Sequence, residues 1–237
     1  MTIVKADIEG WWDMDEGSGS SVADSKESGG TNGTITGANW VTGGPTNLPD
    51  GLNFDTATEK VVVAKDFDLP DGTLVVWVES DASTGTVQSI AGNGNGGGNF
   101  DLAIVDTTTD YRGRTRFTGD TTVLSNTLTY GVKNHVAYTW TDDGTPEVNL
   151  TVDGSAETPV TGTGTTTTND DNFVWGQRTN ETDTLCLDGK IYQVILFNRV
   201  LTNTEINDLY NTGAGITYDG LFNPVSETNS NFLMFMI

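Results

Sequence analysis

The chain of 237 residues contains one cysteine, Cys186, one histidine, His135, and only six lysines. A single cysteine excludes an intrachain disulfide. It sits between Leu185 and Leu187 at the start of a strand pattern, where a buried, inert thiol is expected. A nucleophilic role would need a base, and His135 has no Ser or Cys partner in a recognisable motif. That histidine is read as a structural residue of a strand. Long apolar runs are also missing. No stretch approaches the ~20 residues of a membrane helix. The start, MTIVKADIEGWW, has neither the apolar core nor the small-residue cleavage site of a signal peptide. Neither membrane insertion nor signal-directed export is expected.

Positive charge is scarce throughout. Eleven Lys and Arg stand against 33 Asp and Glu, a net charge of -22. Nucleic acid and anionic membranes are therefore not expected partners, because phosphate binding needs clustered bases. The one basic cluster, Arg112, Arg114 and Arg116, has period-2 spacing that puts three side chains on one face of a strand, read as a solvated face. The acids are scattered rather than blocked. An acid-rich, lysine-poor surface with 39 threonines resembles those of extreme halophiles, and ordinary acidic surfaces look alike.

What is present supports a packed β protein. Apolar residues make up 35%, aromatics 9%, and six are tryptophan. Short β-like runs recur at Val61–Ala64, Thr73–Val78, Val87–Ala91, Phe100–Val105, His135–Thr141, Val148–Val152, Asn172–Gly176 and Lys190–Phe197. Turn signals such as Pro70-Asp71-Gly72 and Asp153-Gly154 separate them. Strands without alternating helices favour an antiparallel sandwich. The glycine run Gly92–Gly98 lacks the helix and lysine of a phosphate loop and reads as a hairpin connection. Thr161–Thr168 reads as a surface strand or loop.

The pattern closes over Leu187–Asn211. Ile191–Phe197 is strand-like. Thr202 with Glu205 is a capping box, and Ile206, Leu209 and Tyr210 follow at helical spacing. Residues 1–213 read as one domain. Residues 214–237 read as an extension ending in Phe232, Leu233, Met234, Phe235, Met236 and Ile237. Exposing such an end costs roughly 25 cal/mol per Å² of apolar surface. It is expected to dock, either on its own domain's edge or on a neighbouring subunit.

Five segments occur in a characteristic order: GWWDMDEGSGSSVADS (10–25), GTNGTITGANW (30–40), LNFD (52–55), NHVAYTW (134–140) with LTVDG (150–154), and LDGKIYQVILFNRVLTNTEINDLY (187–210). Over roughly residues 8–212 the chain resembles the laminin-G-like family of the concanavalin A-like jelly-roll superfamily. The resemblance implies an all-β, antiparallel β-sandwich jelly roll with one short C-terminal helix. Many relatives carry an acidic pair after the last Gly-x-Ile, whose Asp helps hold a structural calcium. Tyr192 and Gln193 stand there instead. Calcium needs six to eight oxygens, so no metal or other cofactor is assigned, with Asp24, Asn32 and Asp188 left as the residues that could contribute to one.

Glycanases on the same superfold carry paired carboxylates on one strand face. The nearest candidates are Glu9, Asp13 and Glu16. Their spacing does not share a strand face, and Gly17 and Gly19 mark a turn, so no catalytic residue is assigned. Of Trp11, Trp12, Trp40, Trp77, Trp140 and Trp175, five sit in strand patterns or family core positions and read as packing. The alternative for one of the six is an exposed ring in a sugar platform.

These readings lead to a non-enzymatic structural protein of a virion, a capsid decoration, turret, spike or tail-associated subunit, from a virus of a halophilic prokaryote. It would display the jelly roll toward host-surface glycans and dock through residues 232–237 on other virion proteins or copies of itself, as a homo-oligomer. The alternative is a carbohydrate-binding or adhesion module of an exported or cell-surface protein. A glycan hydrolase comes third.

Overall fold

The computed structural model describes residues 3–93, 100–117, 119–125, 127–166, 171–178 and 185–224. The first third contains β1 (Ile8–Trp12), β2 (Ser21–Val22), β3 (Gly33–Thr36), β4 (Asn39–Thr42), β5 (Asp50–Phe54) and β6 (Lys60–Val63). Then come β7 (Gly72–Ser80), β8 (Val87–Asn93), β9 (Phe100–Val105), β10 (Asp110–Arg116) and β11 (Asp120–Ser125). The remainder supplies β12 (Lys133–Thr141), β13 (Glu147–Val152), β14 (Ser155–Ala156), β15 (Val160–Thr161), β16 (Phe173–Trp175) and β17 (Gly189–Phe197). Helices α1 (Asn203–Tyr210) and α2 (Tyr218–Phe222) follow.

Among the described residues these strands form two antiparallel sheets. The first runs β14-β13-β12-β7-β17-β5-β4, with β1 also on β17 and β15 on β13. The second runs β11-β10-β9-β8-β16-β6-β3-β2. The fold is an all-β, concanavalin A-like sandwich with a short C-terminal helix. Eight sequence runs fall on strands. β11 has no counterpart among them, because an edge strand turns only alternate residues inward: Thr121, Val123 and Ser125 are buried while Asp120 and Leu124 are exposed. The brief helix α2 is a further addition to the expected elements.

β7, β12 and β17 are apolar on both faces for a structural reason. Leu74, Val76, Val78, Val136, Tyr138, Trp140, Ile191, Val194 and Leu196 face the second sheet in the main core. Their neighbours Val75, Ala137, Ile195 and Phe197 point the other way, into a smaller core with Trp11, Leu201, Ile206 and Leu209. A short helix thus covers the outer face of the first sheet. Thr202 caps it: its Oγ1 accepts from Glu205 N at 3.3 Å, and Glu205 Oε2 accepts from Thr202 N at 3.0 Å. Asn211, in the left-handed conformation, ends it. Beyond it, Tyr218 and Phe222 set their rings against Trp11, centroids 5.7 and 6.4 Å away.

Candidate functional site

Five tryptophans are core. Trp11, Trp12, Trp140 and Trp175 are fully buried and Trp77 is 2% exposed. Trp40, on β4 at the free edge of the first sheet, is only half-buried. One flank of its ring packs against the main core. Its indole Nε1 donates to the Gly19 carbonyl at 2.9 Å, which fixes the ring plane. Trp40 also lines a cleft of about 420 Å³, together with Gly17, Val41, Thr42 and Asp50. Gly17, at φ +60, turns the 13–20 loop past the strand edge, where a Cβ would stand 3.8 Å from Asp50 Oδ2. β4–β5 pairing sets Thr42 opposite Asp50. No spacing rule links Asp50 to Trp40; only the hairpin register brings them to one cleft. Asp50 is the single carboxylate among the lining residues.

Glu9, Asp13 and Glu16 go to three different places. Glu9 pairs with Lys65 at 3.1 Å. Glu16, in the β1–β2 loop, accepts from Ala23 N just after β2. Asp13 is 5% exposed and serves as a knot. Its Oδ1 accepts from Trp11 Nε1 at 2.6 Å and Gln193 Nε2 at 2.7 Å, and its Oδ2 from Tyr218 N at 3.0 Å. Burial pushes its carboxyl above the usual range, against the pull of those three donors.

The residues considered for calcium do not fit that ion. Asp24 Oδ1 accepts from Trp11 N and Lys26 N, and Oδ2 from Thr31 N. Asn32 Oδ1 accepts from Asp24 N at 3.0 Å. Their oxygens thus serve backbone donors. Asp188 lies elsewhere, just before β17, where burial and then Asp81 and Asp55 raise its carboxyl. Tyr192 donates its hydroxyl to Glu79 at 3.0 Å, and Gln193 turns amide hydrogens, not oxygens, toward Asp13 and the Ile216 carbonyl. Among the described residues no three His, Cys, Asp or Glu side chains form a metal-holding group.

His135 is fully buried between Trp77 and Tyr210, ring centroids 5.2 and 5.7 Å away. It faces the helix-covered side rather than the main core, and neither ring nitrogen has a hydrogen-bond partner. Burial holds its pKa down to about 3. Cys186 is half-buried, bridged to Gln177, with its thiol raised by burial. The docking residues Phe232, Leu233, Met234, Phe235, Met236 and Ile237 lie outside the described residues.

Arg112, Arg114 and Arg116 do share the outer face of β10. They are not simply solvated. Arg112 Nη2 and Arg114 Nη2 both donate to Asp101 Oδ2, at 3.3 and 2.6 Å. Arg116 Nε donates to Asp120 Oδ1 at 2.8 Å. The Arg112 and Arg114 side chains are each 18% exposed. Gly113 between them points inward, where a Cβ would come within 2.0 Å of the Tyr138 ring. Asp101, on β9, is placed by register and was not legible in the local sequence.

A family model described as the concanavalin A-like lectin/glucanases superfamily matches residues 54–207. No curated protein sequence matches the chain. Among solved structures, a Trypanosoma rangeli sialidase in complex with sialic acid superimposes with a TM-score of 0.63 at 20% identity, covering 86% of this chain and 33% of that one. The receptor binding domain of botulinum neurotoxin type G gives 0.63 at 10% identity, covering 89% and 54%. That of botulinum neurotoxin D gives 0.65 at 12%, covering 87% and 53%. The chain thus spans a third to about half of these structures, and at such identities the likeness is one of fold.

Proposed function

The chain belongs to the concanavalin A-like lectin/glucanase superfamily, and on that premise we propose that it is a non-enzymatic carbohydrate-recognition domain that holds sugar in the Trp40–Asp50 cleft. The observation that carries this reading is Trp40 itself, the one half-exposed indole of six, with its ring plane fixed and a carboxylate beside it. The C–H face of a pyranose packs on an aromatic ring while a carboxylate accepts from its hydroxyls. The cleft's size falls in the range of small-molecule sites. Hydrolysis would need a second carboxylate, roughly 5–9 Å from the first; the lining offers Asp50 alone. The likeness to receptor binding domains of botulinum neurotoxins supports recognition. The sialidase likeness keeps hydrolysis as the reading to test against.

A glycan array followed by calorimetry tests it. Trp40→Ala should abolish binding and Asp50→Asn should weaken it, with the far-ultraviolet spectrum unchanged. Undiminished binding by both variants would overturn the cleft, and release of sugar product would overturn the non-enzymatic reading.

The narrower setting we propose is a virion, on which the domain is displayed toward host-surface glycans. Two features support it: the apolar end Phe232–Ile237, suited to docking on another virion protein or a second copy, and an acidic, lysine-poor composition suited to a high-salt host. Deleting residues 226–237 should abolish particle incorporation without unfolding the sandwich. Incorporation of the truncated chain would sink the docking role.

A further inference from the structure

The chain has five arginines and a net charge of -22. Four of the five gather on or beside one face of the second sheet: Arg112, Arg114 and Arg116 on β10, and Arg178 beyond β16, within electrostatic reach of Arg112. Register places their neighbours. Arg112 lies between Leu124 on β11 and Ala103 on β9, and Ala103 pairs with Ser89 on β8. Arg114 lies between Thr122 and Asp101. The guanidinium of Arg112 therefore stands over a floor of small side chains. Leu124, 45% exposed, flanks it on the same face.

Asp101 Oδ2 is shared between Arg112 and Arg114, while Asp120 takes Arg114 at 3.4 Å and Arg116 at 2.8 Å. Arg112 has the weaker hold on the shared carboxylate. Its Nη2 contact is long, at 3.3 Å, and its Nε, shielded from solvent beneath the face, has no hydrogen-bond partner. An Nε–Nη2 edge is one that a carboxylate can grip with both oxygens; here one of its two donors is engaged, and the other comes within reach of a ligand when the half-buried side chain turns outward. Burial lowers the Arg112 pKa first, and the nearby charges of Arg114 and Arg178 lower it further against the pull of Asp101. Crowding scarce cations at one place works against folding, and an incoming anion relieves it.

We propose that this face, at Arg112, Arg114 and Leu124, binds the carboxylate of an acidic sugar, a uronic or sialic acid, at a site separate from the Trp40 cleft. The guanidiniums take the carboxylate, and Leu124 takes the carbon skeleton. The anion half of the proposal rests on the arginines alone; the sugar half rests on the carbohydrate reading above.

Calorimetric titration of the full chain with five probes tests it: glucuronic acid, N-acetylneuraminic acid, the neutral methyl ester of each, and sodium acetate. The free acids should bind at least about tenfold more tightly than their esters, the size of a charge-assisted pair, and more tightly than acetate. Arg112→Gln should remove that preference and Arg112→Lys should restore only part of it, because lysine lacks the fork. Trp40→Ala should leave it unchanged. Esters binding as tightly as acids would overturn the proposal. Acetate matching the sugar acids would overturn its sugar half, and loss of acid binding in Trp40→Ala would overturn the separateness of the site. The comparison of acids with esters on the wild-type chain stands even where an arginine variant misfolds. Loss of neutral-glycan binding alone counts against the cleft and not against this face.

Discussion

Gln193 donates an amide hydrogen bond to the buried Asp13 carboxylate at 2.7 Å, from a position where the laminin-G-like resemblance leads one to expect an acid. An acid there would have to share a cation with its neighbours. An amide instead supplies the donor that a buried carboxylate needs. With Trp11 Nε1 and Tyr218 N on the same carboxylate, the pair joins β1, β17 and the start of α2 through hydrogen bonds. Gln193 is therefore part of the fold's own polar accounting.

Gln193→Glu should then set two carboxylates face to face in a buried site. The variant should lose about 3 kcal/mol at pH 7, the size of a broken buried pair. Asp13 is already raised by burial, and the second acid raises the pair's folded-state pKa further, so the loss should shrink as pH falls and one proton is taken up. Urea midpoints at pH 7 and pH 5 check this; equal deficits at both would contradict it.

His135 makes the opposite demand. Its pKa, held down to about 3 by burial, lies below that of the unfolded chain, about 6.5. The stability linked to its neutral form is complete above about 6.5 and is lost as pH falls toward 3, by at most about 5 kcal/mol. His135→Leu should flatten that part of the pH profile. It should also be at least as stable as wild type at pH 7, because it removes two unpartnered ring nitrogens. Parallel acid-unfolding curves for the two proteins would show that another group drives acid unfolding.

Arg199 grips Glu205 with both Nη atoms, at 3.0 and 2.8 Å, and Asp7 at 2.9 Å. Glu205 is 3% exposed. Arg199→Met should cost about 3 kcal/mol by leaving that carboxylate without its cation, whereas Thr202→Ala should cost about 1 kcal/mol for the lost cap. Thermal melts of both variants would rank them; a larger loss for the cap would reverse the argument.

A net charge of -22 repels itself across the whole surface. Raising salt from about 0.1 M to about 1 M shortens the screening length from about 10 to about 3 Å. The melting temperature should rise accordingly, and identical melts in the two buffers would remove the high-salt interpretation of the composition.

Much of the frame was readable before any coordinates. The runs ending in Val78, Thr141 and Phe197 carry apolar residues at both odd and even positions, and the structure shows why: each is covered on both faces, by the second sheet and by α1 with its flanking turns. The Thr202–Glu205 box was legible because a cap is a local interaction. β11 was not, since an edge strand with Thr and Asp on its open side has little hydrophobic period. Nor was the fate of His135, whose strand position was evident but whose burial beneath Trp77 and Tyr210 depends on where the helix lands.

By itself the sequence determined the sandwich, the capped helix and the scarcity of cations, because strand period, capping and composition act within a few residues or over the whole chain. Only the tertiary structure decided which of six tryptophans reaches the surface, which carboxylate stands beside it, and that Arg112 and Arg114 must share Asp101. Those relationships run across strands, and pairing register, to which residue spacing along the chain is blind, sets them.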